Sequence, residues 1–444
     1  MNDYISGTHH EARRPGEYVT RTLHPVTLAA VRASRILDSR GHPTVRVHLT
    51  LADGGVVTGD APAGASTGAH EARELRDGGD AYLGRDVSQA LGLVATEIAP
   101  MLTARCWTSI TQVDQALAAL DGTPGYARLG ANAVVATSIA LARAFAAAAG
   151  SPLWRWIADV TDSVPRLPVP HFNVLNGGAH ASNDLDFQEF MIAPVAARSM
   201  ADAVRIGSEV YHHLAALVRE RSGSAGLGDE GGFAPALSSP EEALDLVVAA
   251  IRAAGYEPGA DRVAIALDPA ANEFALGGGR YRVADRILDR DGLIGYYRDL
   301  VEAYPIRSVE DGFAEDDHGG WAAMQTALGE RIQIVGDDLY VTDPARIRDG
   351  AYDGLSNAAL IKPNQIGTVS QTFDAIRAAR AAGMRCMVSH RSGETVDTFI
   401  ADLAVGTGVG QIKSGAPARG ERVVKYDRLN EIAEEAPGLA YGLV

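Results

Sequence analysis

The sequence predicts an α/β protein in which a (β/α) barrel follows an N-terminal α+β domain. Three observations carry that prediction. From residue 263 onward, short apolar runs each lead to a charged residue: VAIAL to Asp268, IRSV to Glu310, IQIVG to Asp337, AALI to Lys362, RCMVS to His390-Arg391-Ser392, and VGQI to Lys413. The runs recur at roughly 25 to 40 residues, about one strand-plus-helix unit, and barrel enzymes carry their reactive groups at strand C-termini. Before residue 150, by contrast, strand-like runs come first and helical runs follow without alternation, the pattern of an α+β domain. Between the two lies SVPRLPVPHFNVLNGG (163–178), whose prolines mark a boundary.

The elements follow in chain order. Residues 1–26 mix charges with prolines and hold no continuous apolar stretch, so they are expected to form a polar, mobile tail and not a secretory signal. Residues 27–162 are expected to form the α+β domain. VTLAAVRASRIL, TVRVHLTL and VVTGDA, separated by DSRGHP and DGG turns, read as a small antiparallel meander. A Gly-rich segment (63–79) then precedes three helical runs, SQALGLVATEIAPML, ITQVDQALAALDG and ANAVVATSIALARAFAAAAG. Residues 163–444 are expected to form the barrel. They open with a long helix around 200–221, the loop GLGDEGGFAP and the helix EEALDLVVAAIRAAG, and they close with the charged helix KYDRLNEIAEEA.

Composition narrows the function. With 46% apolar and 22% charged residues in 444, the chain has the make-up of a globular protein large enough for two domains. Its net charge of −16 argues against a nucleic-acid partner, which needs a concentrated basic surface. An acidic protein that takes an anionic ligand must gather local positive charge in a pocket. Cys106 and Cys386, far apart in sequence, read as two buried reduced thiols. No apolar run is read as long enough to span a membrane, and a cytoplasmic location is expected.

Asp268, Glu310 and Asp337 come from three strand ends, and an all-carboxylate set without His or Cys favours Mg²⁺ over zinc. Lys362 closes an apolar run; burial there disfavours the ammonium form and suits a general base, with a structural ion pair as the alternative. Lys413, beside the tight turn SGAP, fits a fixed cation for a substrate carboxylate. Arg391 between His390 and Ser392 offers a bidentate donor for phosphate or carboxylate. Glu189 in DFQEF and Glu230 in GDEGG flank the start of the barrel, and a carboxylic acid kept protonated near other negative charge can act as a general acid. The segment 64–68 is either an active-site lid or a Gly-rich hairpin.

The segments ILDSRGHPTV, GASTGAHEARELRDG, LGANAVVATSIALA, NVLNGGAHASNDLDFQEFMIAP, GDEGGFAP, SVED, VGDDLYVT, IKPNQIGT, SHRSGETVDTFIADLAVG and GQIKSGAPARGER resemble the enolase family, in family order from about 31 to 426. The resemblance implies an enolase-type, TIM-like (β/α)8 barrel whose first units depart from regular order, capped by the N-terminal α+β domain. It implies a homodimer or higher homo-oligomer, a small phosphorylated carboxylate as substrate, and two Mg²⁺ per active site. It assigns Asp268, Glu310 and Asp337 to the first ion and Ser66 to the second. Lys362 matches the base that takes the C2 proton of 2-phosphoglycerate, and Glu230, supported by Glu189, the acid that helps hydroxide leave C3. His180, Gln188, His390, Arg391, Ser392 and Lys413 match substrate-binding positions. An enolase-like paralogue of secondary metabolism, such as a carboxyphosphonoenolpyruvate synthase, is the alternative activity. The chain departs from the family pattern at Arg46 and Glu431, which bear on subunit contacts, and at Ser182, Pro269 and Asn272, which bear on substrate choice.

Overall fold

The computed structural model of the protein describes residues 24–64, 68–181, 183–223 and 226–444, so most of the expected tail, Ser66 and Ser182 lie outside the described residues. The meander is present. Strands β1 (Leu28–Leu37), β2 (Pro43–Leu51) and β3 (Val56–Asp60) pair antiparallel in that order. Val45, Val47 and Leu49 alternate onto one face of β2 and are fully buried, as a half-covered strand requires. The helix Ala131–Ala148 packs on β2 and β3. Its closeness depends on Gly59, where an added Cβ would stand 2.3 Å from the Ala136 carbonyl oxygen.

That helix corrects one expectation. Its 18 residues, with mean hydropathy 1.5, are long and apolar enough to cross a membrane, but 83% of them are buried inside the protein. They read as apolar all round because the helix lies between the sheet and the rest of the fold. The thiol expectation is half right. Both cysteines are unbonded and Cys386 is buried, but Cys106 is exposed, in a turn where neighbouring Trp107 takes the interior place.

Among the described residues, eight strands close into the expected barrel. They are β4 (Val169–Asn176), β5 (Glu189–Pro194), β6 (Val263–Asp268) and, after a small sheet of β7 (Ala275–Gly277), β8 (Arg280–Val283) and β9 (Arg286–Asp289), the strands β10 (Ile306–Glu310), β11 (Gln333–Gly336), β12 (Ala358–Ile361), β13 (Arg385–Ser389) and β14 (Gln411–Lys413). The ring order is β4, β5, β6, β10, β11, β12, β13, β14. All neighbours are parallel except at β5, which runs antiparallel to both β4 and β6. The first unit is therefore two strands followed by two helices, Met200–Ser222 and Pro240–Ala253, before regular alternation begins. The β7–β9 sheet was not foreseen; its trace in the sequence is the Gly277-Gly278-Gly279 turn between short alternating runs.

Arg46 finds its partner within the chain: its Nε and Nη2 each donate to Asp60 at 2.6 Å, a bidentate pair. Glu431 accepts from Arg428 Nη1 at 3.1 Å.

Gly59→Ala is expected to lower the unfolding free energy by about 1–3 kcal/mol through overpacking between β3 and the helix. Urea denaturation of the variant beside the parent checks it, and an unchanged midpoint would refute the close-approach argument.

Candidate active site

The strand-end series converges as the barrel pattern demands. Asp268, Glu310 and Lys413 are the last residues of β6, β10 and β14, while Asp337, Lys362 and His390 immediately follow β11, β12 and β13. The reversed strand explains the remaining carboxylate. Because β5 runs backwards, its first residue, Glu189, reaches the same mouth, in register with Asp268 of β6 and Asn176 of β4. Glu230 arrives on the loop that follows the helix Met200–Ser222, anchored where Ala416 N donates to its carbonyl at 3.0 Å. Every described candidate lines this one pocket except Glu310, which lies beneath Lys413.

Lys413 is the electrostatic centre. Its Nζ lies 2.8 Å from Asp268 Oδ2, 2.9 Å from Glu310 Oε1 and 3.1 Å from Glu189 Oε2, all buried. Burial opposes the ammonium, but Asp268, Glu189 and Glu310 together hold it well above the ordinary lysine value. The carboxylates are in excess. Burial, and then the neighbouring Asp268, pushes Glu310 well above the usual carboxylate range; burial and Glu230 do the same to Glu189.

At Lys362 the ion pair, the alternative reading of the sequence, is present. Burial does pull its ammonium down, yet Asp337, hydrogen-bonded to its Nζ through Oδ2, lifts it above the ordinary value. Lys362 is thus held as a cation by Asp337, whose own carboxyl is drawn below its usual range against the effect of burial. Thr342 fixes the Lys362 backbone, accepting from Lys362 N at 2.9 Å and donating to Gln365 at 2.7 Å. The cap also grips this segment. Asp114 accepts from Ser370 N at 2.9 Å and from the Ser138 and Ser370 hydroxyls, and Tyr126 Oη donates to Gln371 at 2.7 Å.

On the other side, His180 Nδ1 stands 3.6 Å from Glu189 Oε1 and 3.9 Å from Glu230 Oε1. Glu230 Oε2 accepts from Asn173 Nδ2 at 3.0 Å and lies 3.1 Å from His390 Nε2. Burial alone would raise Glu230, but His390 and His180 draw it well below the carboxylate range. Of the two candidate acids, then, Glu189 is the one this environment keeps protonated. Arg391 meets Glu71 bidentately, at 2.8 and 3.1 Å, and Asn364 Oδ1 at 3.1 Å.

Sequence reasoning passed over Glu71, Asn173, Asp311 and Asp338. Asp311 accepts from the backbone N–H groups of Asp337 and Asp338, each at 2.9 Å. Asp338, pushed to about 7 by burial and Asp337, is held by Asn272 Nδ2 at 2.9 Å. The acidic doublets ED and DD at strand ends were the visible signal. Four non-glycine residues at this mouth, Ala270, Asp311, Val341 and Thr342, have positive φ (42° to 58°), backbone strain of the kind that collects at functional sites.

Among the described residues, two compact groups could hold a metal ion, His180–Glu189–Glu230 and Asp311–Asp337–Asp338. The expected set of Asp268, Glu310 and Asp337 meets instead at the two lysines. It still fits a hard cation: all its donors are carboxylate oxygens, and the buried Glu310 Oε2 has no hydrogen-bond partner among the described residues.

A barrel mouth of convergent carboxylates and lysines, with an arginine beside them, has the groups that acid–base chemistry requires. Two family models match the chain, "Enolase, N-terminal domain" over residues 28–157 and "Enolase, C-terminal TIM barrel domain" over residues 165–441. The chain belongs to the enolase family.

Lys413→Met is expected to destabilise the metal-free protein by about 3–5 kcal/mol, because three carboxylates lose their buried partner. Denaturation in EDTA measures this, and parental stability would show that the cluster is neutral without the lysine.

Proposed function

We propose that this protein catalyses the reversible, Mg²⁺-dependent dehydration of 2-phosphoglycerate to phosphoenolpyruvate. The observation that carries the reading is the placement of base and acid across the barrel. Lys362 follows β12, which stands four places from β5 in the eight-strand ring, and β5 brings in Glu189 beside Glu230. A β-elimination with base and acid on opposite faces of the substrate needs that separation.

In the dehydration direction, Lys362 Nζ takes the proton from C2, and the electron pair left there expels hydroxide from C3. Glu230 supplies the proton that makes the departing group water, drawing on the Glu189–His180 pair beside it. Arg391 and Ser392, beside His390, bind the phosphate end, and Gln188 and Lys413 hold the carboxylate end. Two Mg²⁺, held by Asp268, Glu310 and Asp337 and by Ser66, would stabilise the dianion formed at C2 and relieve the lysines of their carboxylates. The acidic surface and the pocket's local cations suit a small anionic substrate in the cytoplasm.

One observation favours a second reading, a related reaction on a phosphonate or phosphinate. Asn272, a departure from the family pattern, holds Asp338 at the pocket rim and accepts from Glu315 N at 2.9 Å, so a departing residue takes part in the rim's hydrogen bonding. Absorbance of phosphoenolpyruvate formed from 2-phosphoglycerate separates the two; negligible turnover with Mg²⁺ present refutes the first.

Lys362→Ala is expected to abolish exchange of the C2 proton with D2O. Glu230→Gln is expected to retain exchange and to lose net elimination by about 100-fold or more. NMR of 2-phosphoglycerate in D2O follows both, and exchange by the Lys362 variant would remove that lysine from its role.

A further inference from the structure

The helix Gly420–Glu435 carries a cation that the reaction above does not use. Arg422 is fully buried, whereas an arginine ordinarily keeps its head in water. Its Nη1 lies 2.6 Å from His390 Nδ1 and donates to the Arg391 carbonyl at 2.6 Å. Its Nη2 donates to the Ser392 carbonyl, and at 3.3 Å to both Ser39 Oγ and the Asp229 carbonyl. One guanidinium thus ties together the turn after β13, the loop bearing Glu230, and the cap. Gly415 makes room for its stem: φ is +76°, and an added Cβ would stand 2.8 Å from Arg422 Cδ.

The contact with His390 has a chemical consequence. Guanidinium nitrogens donate and do not accept, so the Nδ1 they face must present its lone pair. The neutral ring then carries its proton on Nε2, and a doubly protonated ring would turn an N–H against the cation. His390 Nε2 lies 3.1 Å from Glu230 Oε2, the same oxygen that accepts from Asn173 Nδ2 at 3.0 Å. Asn173 donates to Oε2, and the ring Nε2 faces the same oxygen without hydrogen-bond geometry, so Oε1 is the oxygen that remains to act.

We propose that Arg422 is a positioning residue for the acid step: it holds His390 as the Nε2–H tautomer, so that the ring turns its N–H toward the Glu230 oxygen that Asn173 already holds and leaves the other for the departing hydroxyl. Burial, reinforced by Arg422 against the pull of Glu230, lowers the His390 imidazolium to about 3, in agreement with a ring that stays neutral. The proposal rests on the reading of Glu230 as the acid.

The experiment begins with the parent protein labelled with ¹⁵N at histidine, the His390 signals being assigned by their loss in His390→Asn. Near neutral pH, His390 is expected to show a protonated Nε2 and a bare Nδ1. A protonated Nδ1, in either the neutral ring or an imidazolium, overturns the proposal. This arm needs no turnover and no variant that folds poorly. Arg422→Met is then expected to populate the Nδ1–H tautomer and to lower net elimination about 100-fold while C2 exchange in D2O stays near the parental rate. Arg422→Lys, which keeps a donor toward Nδ1, is expected to restore the tautomer and most of the ratio of elimination to exchange. Equal losses of exchange and elimination with the tautomer unchanged would reduce Arg422 to a structural strut and overturn the proposal. If the parent neither exchanges nor eliminates 2-phosphoglycerate, the reaction assigned above fails, and the parental tautomer still decides the role of Arg422.

Discussion

Three buried carboxylates sharing one ammonium is the condition on which the rest of the barrel mouth depends. Glu189, Asp268 and Glu310 all lie within 3.1 Å of Lys413 Nζ. An unbalanced buried charge is expensive, so such a cluster keeps protons on some of its acids or recruits further cations. Glu189 and Glu310 show the first response, with carboxyls held well above their usual range. The same imbalance is the physical basis for the Mg²⁺ reading, because a hard divalent cation supplies the missing charge without protonating its ligands. The described mouth is itself acidic, like the chain of net charge −16, with six carboxylates against Lys362, Arg391 and Lys413, so an anionic ligand there would depend on the recruited cations.

The reversal of β5 does as much for the chemistry as any side chain. In a regular (β/α) unit, the residues at a strand's start face the far end of the barrel, away from the reactive mouth. Running β5 backwards turns its first residue into a mouth residue and sets Glu189 beside Asp268 in register. Local strain follows from the crowding of acids around this rim. Asp311 is left-handed at φ 42° and is fixed by accepting two successive backbone N–H groups from the segment that carries Asp337. The backbone is bent to serve the carboxylates.

The periodic parts of the molecule were legible in the sequence, and the parts set by tertiary pairing were not. Apolar runs ending on Asp268, Glu310, Asp337, Lys362 and Lys413 mark strand ends because a buried parallel strand has to be apolar and its reactive group has to sit outside it. For Lys362, burial was visible in AALI, but which acid would pair with it was not: Asp337 lies 25 residues upstream. Asn173 looked like one polar residue in an apolar strand until β4 carried it to Glu230. Arg422 lay in a recognised motif, but its contacts reach back across some 190 residues to Asp229 and across 383 to Ser39, distances no local pattern encodes.

Without metal ions the pocket favours a charged Lys362 and an ionised Glu230. Asp337 keeps Lys362 charged, and Glu230 lies well below the carboxylate range. On the proposed reaction, a charged Lys362 can deliver a proton to C2 of phosphoenolpyruvate, and an ionised Glu230 can take one from the attacking water. Dehydration leaves the enzyme in that same state, with the C2 proton on the lysine and the acid spent. On that reaction each forward turnover would have to lift a proton off Lys362 against Asp337 and return one to Glu230. The neighbour that fixes the lysine in place is the one that resists resetting it. An elimination catalyst on this scaffold consequently needs Asp337 drawn away from the lysine when substrate is bound, and Glu189, the acid that burial keeps protonated, within reach of Glu230 across His180.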